Sequence, residues 1–202
     1  MTVYCATGNP GKLREFQLAA ARTAIRVEAA PDIAGLPPCE EDGATFEENA
    51  ILKARYYGPR APGLLFADDS GLEVDALGGA PGIYSARFAG ASGGRGIVDE
   101  ANNRLLLDKM RGVRDRLARF VCAIALVDGA RLLGAFRGVV EGRILESPRG
   151  SHGFGYDPLF FYPPFGCAFG EVPEERKLGV SHRGRALEAL FQFLTDGSLH
   201  RV

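Results

Sequence analysis

Apolar and polar residues follow two different periods along this chain of 202 residues. Short apolar or alternating runs predict buried strands, because turn residues such as glycine and proline separate them. These runs cover residues 2–6, 25–29, 64–67, 72–75, 119–127, 131–141 and 159–162. Apolar residues at helical spacing predict helices. The helical segments cover residues 12–22, 45–57, 97–110 and the region around 187–194. Thr45 and Glu48 have the spacing of a capping box, which marks the start of the second helix.

The order of these elements predicts an α/β protein. Helices separate most of the strands, but residues 119–141 read as a hairpin about Asp128 and Gly129. We therefore expect a mixed, twisted sheet with flanking helices. The length fits one domain, or one domain with two lobes. Glycine-rich segments lie where strands give way to loops, and open α/β sheets usually bind ligands there.

The composition is that of a globular protein, and it excludes several classes of function. A net charge of −1 is unlike that of a protein that neutralises the phosphates of duplex nucleic acid. No run approaches the about 20 apolar residues of a membrane span, and the first residues lack the pattern of a signal peptide. The four cysteines are far apart, so we expect neither disulfides nor a zinc site. These features together predict a cytoplasmic protein.

Residues 7–12, TGNPGK, place a glycine-containing turn and a lysine between a strand and a helix. Backbone N–H groups at a helix start and a nearby cation are suited to phosphate. The spacing differs from that of a P-loop, which has four residues between its glycines and Ser or Thr after the lysine. An ordinary turn that caps a helix explains the segment equally well. Only four of the 24 basic residues are lysines, which makes Lys12 more notable.

Asp68 and Asp69 directly follow the apolar run at 64–67. Adjacent carboxylates at the end of a buried strand repel each other, so their position needs an explanation. A helix cap, a turn or exposed charges would be a purely structural one. Such a pair favours a hard cation such as Mg²⁺. Repulsion also raises one pKa of the pair, which suits a general base. A second acidic cluster at residues 40–42 would supply a further oxygen ligand.

The segment HGFGYDPLFF at residues 152–161 has features suited to a nucleobase. Its glycines would let the backbone approach a ligand, and Phe154 and Tyr156 offer flat faces for stacking. Packing in the core is the alternative, and it is the preferred reading for Phe160 and Phe161.

His182 and Arg183 lie in the first turn of the last predicted helix. Cations are electrostatically disfavoured at a helix N-terminus. A ligand and a surface turn explain their presence equally well.

The order of five segments resembles the inosine/xanthosine triphosphate pyrophosphatase family. These segments are TGNPGK, EEDGATFEENAILKA, ADDSGLEVDALGGAPGIYSARFAG, GFGYDPLF and SHRGRAL, and the likeness extends from about residue 3 to 194. The resemblance implies an enzyme that hydrolyses ITP, dITP and XTP to the monophosphate and pyrophosphate by Mg²⁺-assisted attack of water on the α-phosphorus. It also implies a homodimer of two-lobed α/β subunits with the active site in a cleft between the lobes.

The resemblance assigns the chemistry to the acidic residues. It implies that Asp69 is the catalytic base and a metal ligand. Glu40 would be the second metal-associated acid, with the register within residues 40–42 open by about a residue. No role is implied for Asp68.

The resemblance also implies a set of substrate-binding residues. They are Thr7, Gly8, Asn9, Pro10, Gly11, Lys12, Lys53, Ser70, Phe154, Gly155, Tyr156, Asp157, Lys177, His182 and Arg183. The lysines would hold the phosphates and Phe154 would stack on the purine. His182 and Arg183 would read its 6-oxo edge.

Two other functions are compatible with these residues. One is a related pyrophosphatase with a different base preference, such as modified pyrimidines. The other is a nucleotide-binding regulator without turnover. The carboxylate pair disfavours the regulator, because binding alone requires no metal-bound base.

Overall fold

A computed structural model of the chain describes residues 1–31 and 33–196. Its strands form one seven-stranded sheet in the order β2-β1-β3-β4-β5-β6-β7. The strands are β1 Thr2–Cys5, β2 Arg26–Ala29, β3 Leu65–Val74, β4 Leu117–Asp128, β5 Arg131–Ile144, β6 Phe160–Tyr162 and β7 Cys167–Ala168. The helices are α1 Pro10–Ala20, α2 Phe46–Tyr57, α3 Arg95–Lys109, α4 Glu174–Leu178 and α5 His182–Thr195.

The sheet contains both parallel and antiparallel pairs. β1 runs parallel to β2 and to β3. β6 runs antiparallel to β5 and to β7. β4 and β5 are neighbours joined by only residues 129–130, and a connection that short joins antiparallel strands. Gly129 adopts a φ of 57° in this turn, as hairpin turns require. The predicted mixed α/β sheet and its hairpin are therefore confirmed.

Strand β3 differs from its prediction. The two strands expected at 64–67 and 72–75 are one continuous strand, so Asp68 and Asp69 lie in its middle instead of at an end. Both side chains are buried. The predicted strand end was wrong because cations and an amide from other elements compensate the two carboxylates inside the strand.

The starts of the first two helices depend on side-chain caps. The side chain of Asn9 accepts hydrogen bonds from the N–H groups of Gly11 and Lys12, so α1 begins at Pro10, two residues earlier than predicted. Thr45 caps α2 as predicted by accepting from the N–H of Glu48 at 3.1 Å. Helix α4 and strand β7 were not predicted, since elements of five and two residues are too short to show a period.

The chain divides into two compact units. Among the described residues, the first consists of those within Met1–Asp69, Cys122–Gly138 and residues 182–196. The second consists of Ser70–Val121 and Val139–Ser181. The division assigns β3, β4 and β5 partly to each unit.

Each unit has its own apolar core. In the first unit, Phe16 of α1 packs edge-on against Phe66 of β3, with 5.1 Å between ring centroids, and Leu187 and Leu190 of α5 join this cluster. In the second unit, the core is rich in aromatic rings and includes Phe160. Within the part of the chain that the structure describes, no helix has the length and apolarity to cross a membrane.

Candidate active site

Asp68 in the first unit is paired with Lys12. The Lys12 Nζ atom lies 2.7 Å from Asp68 Oδ2, and the side chains are 17% and 1% exposed. Burial opposes ionisation of Asp68, but the charges of Lys12, Arg183 and Lys53 outweigh it, so the pKa of Asp68 lies below its usual value. Asp68 therefore stays ionised at neutral pH and fixes the ammonium group of Lys12 near the TGNPGK turn.

The TGNPGK turn itself is held by short-range hydrogen bonds. Thr7 Oγ1 accepts from the N–H of Asn9 at 3.1 Å, and Asn9 Oδ1 accepts from the N–H of Gly11 at 2.9 Å. Gly8 is exposed, and Pro10 occupies the first position of α1. The turn thus has a defined shape with an exposed glycine at its tip, as a backbone site for phosphate requires.

Asp69 contacts helix α2 through two side chains. The Asn49 amide donates to Asp69 Oδ2 at 3.2 Å, and Lys53 Nζ lies 3.4 Å from Oδ1. Asn49 and Lys53 share a helix face because they are four residues apart. Asn49 also accepts from the N–H of Gly43 at 2.9 Å, so it links Asp69 to the segment that contains the acidic cluster at residues 40–42 and Gly43, called the acidic segment below. Sequence reasoning missed Asn49, because an asparagine inside a helix has no distinctive spacing.

The two adjacent aspartates have opposite pKa shifts. Burial raises the pKa of Asp69 and the carboxylate of Glu41 adds to this effect, while Lys53 and Lys12 oppose it only in part. The pKa of Asp68 is lowered instead. Neighbouring carboxylates whose pKa values are pushed apart are typical of sites that carry out acid–base chemistry.

Glu41 is the residue of the acidic segment that reaches this group. Its Oε2 atom lies 3.2 Å from Lys53 Nζ. Burial disfavours the charge on Lys53, but Asp69, Asp68 and Glu41 together outweigh burial and raise the pKa of Lys53. Glu40, the residue assigned from the sequence, is exposed, and its backbone oxygen lies 3.4 Å from the Cys39 thiol.

Arg183 and His182 at the start of α5 are both buried. The guanidinium group of Arg183 forms an ion pair with Glu15 of α1, which is fully buried. Burial lowers the pKa of Arg183, but the charges of Glu15 and Asp68 and the hydrogen bond to Glu15 raise it, and the pKa lies above its usual value. Sequence reasoning missed Glu15, although a carboxylate next to the core residue Phe16 is a signal that could have identified it.

The predicted base-binding loop lies in the second unit. Lys177 Nζ is 2.8 Å from Asp157 Oδ2, and the two side chains are only 3% and 5% exposed. The same oxygen accepts from the N–H of Phe154 at 2.9 Å. Gly153 adopts a φ of 74°, and a Cβ atom there would lie 2.0 Å from Asp157 Oδ2, so only glycine fits. Asp157 thus fixes both Lys177 and the backbone of Phe154.

The remaining predicted residues of this unit differ in exposure. Tyr156 is buried and its hydroxyl donates to the carbonyl of Ser85 at 2.8 Å. Phe154 and Gly155 are half-buried, as is Ser70 in β3. The structure therefore brings Phe154, Asp157 and Lys177 into direct contact and places Tyr156 in the core.

The carboxylates fit a hard divalent cation by their chemistry. Over residues 1–31 and 33–196, no group of three or more His, Cys, Asp or Glu side chains could hold a metal by itself. Mg²⁺ is usually held by one or two carboxylates together with substrate phosphates. Asp69 and Glu41 supply such oxygens, and both contact the ammonium group of Lys53.

Residues 3–193 match the model of the Ham1 family. The chain belongs to the Ham1 family. This Ham1 protein is 48% identical over 196 residues to the dITP/XTP pyrophosphatase of Acidobacterium capsulatum, covering 94% of this chain and 96% of the relative. It is 49% identical over 200 residues to a dITP/XTP pyrophosphatase of Thermus thermophilus, covering 98% of this chain and 93% of the relative.

A solved structure agrees with this family membership. The structure of a HAM1 protein from Coxiella burnetii has a TM-score of 0.85 and 36% sequence identity. The match covers 97% of this Ham1 protein and 99% of the Coxiella chain. The resemblance of the five sequence segments to this family is therefore confirmed, and so is the predicted sheet.

Proposed function

We propose that this Ham1 protein hydrolyses ITP, dITP and XTP to the nucleoside monophosphate and pyrophosphate. The observation that carries the proposal is the aspartate pair, because Asp68 and Asp69 have opposite pKa shifts beside Lys12 and Lys53. The name of the two relatives, dITP/XTP pyrophosphatase, supports the same activity.

In the proposed reaction, a water molecule attacks the α-phosphorus of the triphosphate. A bond forms between the water oxygen and phosphorus, and the bond to the oxygen that bridges the α- and β-phosphates breaks. Asp69 accepts the proton of the water, a contribution of about 10²- to 10⁴-fold for a positioned base. Pyrophosphate leaves, and the ammonium groups of Lys12 and Lys53 offset the negative charge of the phosphates.

We assign the metal to Asp69 and the acidic segment. Glu41 is the preferred second ligand, because its carboxylate and that of Asp69 both contact the ammonium group of Lys53. Glu40 is the alternative that the sequence indicated. A divalent cation held there, Mg²⁺ in this proposal, would neutralise phosphate charge and polarise the phosphoryl group.

We assign the binding of the nucleobase to the loop around Phe154 and to the start of α5. Phe154 would stack on the purine, and Asp157 and Lys177 would hold the loop that carries this ring. His182 and Arg183 keep the role of donors to O6. Donors at that position suit hypoxanthine and xanthine, whereas the amino group of adenine would leave them unpaired.

The test of the proposed function is a substrate panel. The protein is incubated with Mg²⁺ and with ITP, dITP, XTP, ATP, GTP or dUTP, and pyrophosphate and orthophosphate are quantified separately. We expect pyrophosphate from ITP, dITP and XTP at rates at least about 10-fold above ATP, GTP and dUTP. Release of orthophosphate, or equal rates with ITP and ATP, would refute the proposal. A preference for dUTP would favour the pyrimidine alternative.

We also propose a homodimer, as the family resemblance implies. Sedimentation at micromolar concentration tests this proposal, and a monomer alone would contradict it.

A further inference from the structure

One face of helix α3 carries a row of polar residues. Arg95, Asp99 and Asn103 are spaced by four residues, so their side chains lie along one side of the helix. All three belong to the second unit, as does the loop that contains Phe154 and Gly155. None of the three was assigned a role from the sequence.

Two residues of this row bind the backbone of Gly155. The N–H of Gly155 donates to Asp99 Oδ2 at 2.9 Å. The Asn103 amide donates to the carbonyl oxygen of Gly155 at 3.0 Å. Both backbone polar groups of one loop residue are therefore held by side chains of α3. Gly155 also has a φ of 61°, a backbone conformation that disfavours other residues.

The third residue of the row contacts the neighbouring ring. The guanidinium carbon of Arg95 lies 5.2 Å from the centroid of the Phe154 ring, within the range of a cation–π interaction. Arg95 and Asp99 are also close, with 3.9 Å between Nε and Oδ2. Helix α3 thus contacts the ring of Phe154 and the peptide that follows it.

Helix α3 is anchored in the core independently of this loop. Leu106 of α3 and Met110 immediately after it are fully buried in the core of the second unit. Asn102, which precedes the last residue of the polar row, binds a different loop by accepting from the N–H of Ala89 at 2.8 Å. The loop that carries Phe154 lies outside the strands, so the side chains of α3 supply hydrogen-bond partners that a sheet would supply elsewhere.

We propose that Asp99 and Asn103 are positioning residues for base recognition. By fixing the Gly155 backbone, they set the orientation of the Phe154 ring against the purine. The proposal rests on the proposed function, because it assumes that Phe154 stacks on the base. Loss of these contacts should weaken base binding and discrimination more than the chemical step, because the reacting phosphate is served by Asp69 and the lysines.

The first experiment compares two double variants of helix α3. In D99A/N103A, we expect KM for ITP to rise about 10-fold while kcat changes by less than about 3-fold, since two hydrogen bonds are lost. The ratio of kcat/KM for ITP to that for ATP should fall as well. The matched control is E100A/R104A, which removes an exposed ion pair of the same spacing on the same helix. The control should leave all three parameters unchanged.

A conservative variant separates positioning from charge. Asparagine in D99N keeps an oxygen that can accept the N–H of Gly155, so this variant should retain most of the wild-type KM. If D99A/N103A does not fold, the single variant N103A replaces it, with an expected rise in KM of about 3-fold from one lost hydrogen bond. A normal KM and normal ITP-to-ATP ratio in the folded variant would overturn the proposal.

The second experiment does not depend on turnover. The chain contains no tryptophan, so F154W introduces a single fluorescent reporter at the ring itself. In the F154W background, D99A/N103A should shift the emission of the free protein to longer wavelength and weaken quenching by IMP, whereas E100A/R104A should do neither. Identical emission spectra for F154W with and without D99A/N103A would overturn the positioning role. If the wild type releases no pyrophosphate from ITP, the proposed function fails, and the emission of the free protein still tests the anchoring of residue 154.

Discussion

Changing each aspartate of β3 to asparagine should separate stability from catalysis. D68N and D69N are near-isosteric changes at adjacent buried positions, and each removes one negative charge. Asp68 is held ionised by Lys12, whereas the ionised form of Asp69 is disfavoured by burial. We therefore predict that D68N destabilises the metal-free protein and that D69N does not, although D69N removes the proposed base.

The expected size of the D68N effect follows from the burial of the ion pair. Removal of one partner from a buried pair costs about 3–5 kcal/mol, because it leaves an uncompensated buried charge. The Lys12 side chain is 17% exposed and asparagine still offers it an oxygen, so the loss should be smaller, about 1–3 kcal/mol. At about 2–4 °C per kcal/mol for a chain of this size, the melting temperature should fall by roughly 2–12 °C.

The expected effect of D69N has the opposite sign or is small. A group whose pKa is raised on folding costs stability when it is ionised at neutral pH, and a neutral amide removes that cost. Lys53 keeps its contact with Glu41 in this variant. The melting temperature should therefore stay unchanged or rise, while kcat for ITP falls by at least about 10²-fold.

The assay combines thermal unfolding in EDTA with steady-state hydrolysis of ITP in Mg²⁺. EDTA matters because a bound cation would stabilise ionised Asp69. Equal destabilisation by D68N and D69N would refute the assignment of the two carboxylates to different roles. Wild-type kcat in D69N would move the base to another residue.

Further predictions concern the acidic residues. E41Q should raise the Mg²⁺ concentration needed for half-maximal activity by at least about 10-fold, whereas E40Q should change it by less than about 2-fold. A magnesium titration in which only E40Q has an effect would show that Glu40, as assigned from the sequence, is the second ligand. The pH profile of kcat/KM should decline on the acid side as pH falls through the raised pKa of Asp69, above the unperturbed value of about 3.9. In the proposed metal site, magnesium would compete with the proton for this carboxylate, so higher magnesium should shift the decline to lower pH. An acid-side decline that does not respond to magnesium would contradict the assignment of Asp69 as a metal ligand. The stability advantage of the wild type over D68N, measured by thermal unfolding, should disappear under strongly acidic conditions. Folding lowers the pKa of the Asp68 carboxyl group, so this group adds stability at pH values above the pKa of the unfolded chain, about 3.9. That stability is lost as the pH falls through the lower pKa of the folded protein.

The elements that could be predicted from the sequence are those with a period or a local cap. Helix α2 begins after Thr45, because the capping side chain and the N–H group that it binds are three residues apart in the chain. Helix α5 has four buried apolar residues at helical spacing, Leu187, Leu190, Phe191 and Leu194. Such signals need no knowledge of the rest of the fold, and they account for the correct fold class.

The contacts that could not be predicted join residues distant in the chain. The Asn103 amide reaches the carbonyl of Gly155 over a separation of 52 residues, and Arg183 reaches Glu15 over 168. The choice between Glu40 and Glu41 was open for another reason. Their segment has no helical or strand period, so the sequence could not tell which of two adjacent carboxylates turns toward Lys53.

The geometry of the strand explains how the adjacent aspartates acquire separate surroundings. Successive side chains of a β-strand point to opposite faces of the sheet. Phe66 and Asp68 share one face, and both contact helix α1 through Phe16 and Lys12. Asp69 points to the other face, where it meets α2 through Asn49 and Lys53.

Repulsion between Asp68 and Asp69 is therefore a smaller problem than their adjacency in the chain implies. Each carboxylate meets a different helix and a different nearest lysine, so each environment can shift its pKa separately. The interruption expected at the end of an apolar strand would have placed both carboxylates in one turn with shared surroundings. The continuous strand instead keeps Asp68 as the fixed partner of Lys12 and leaves Asp69, with its raised pKa, suited to accept a proton.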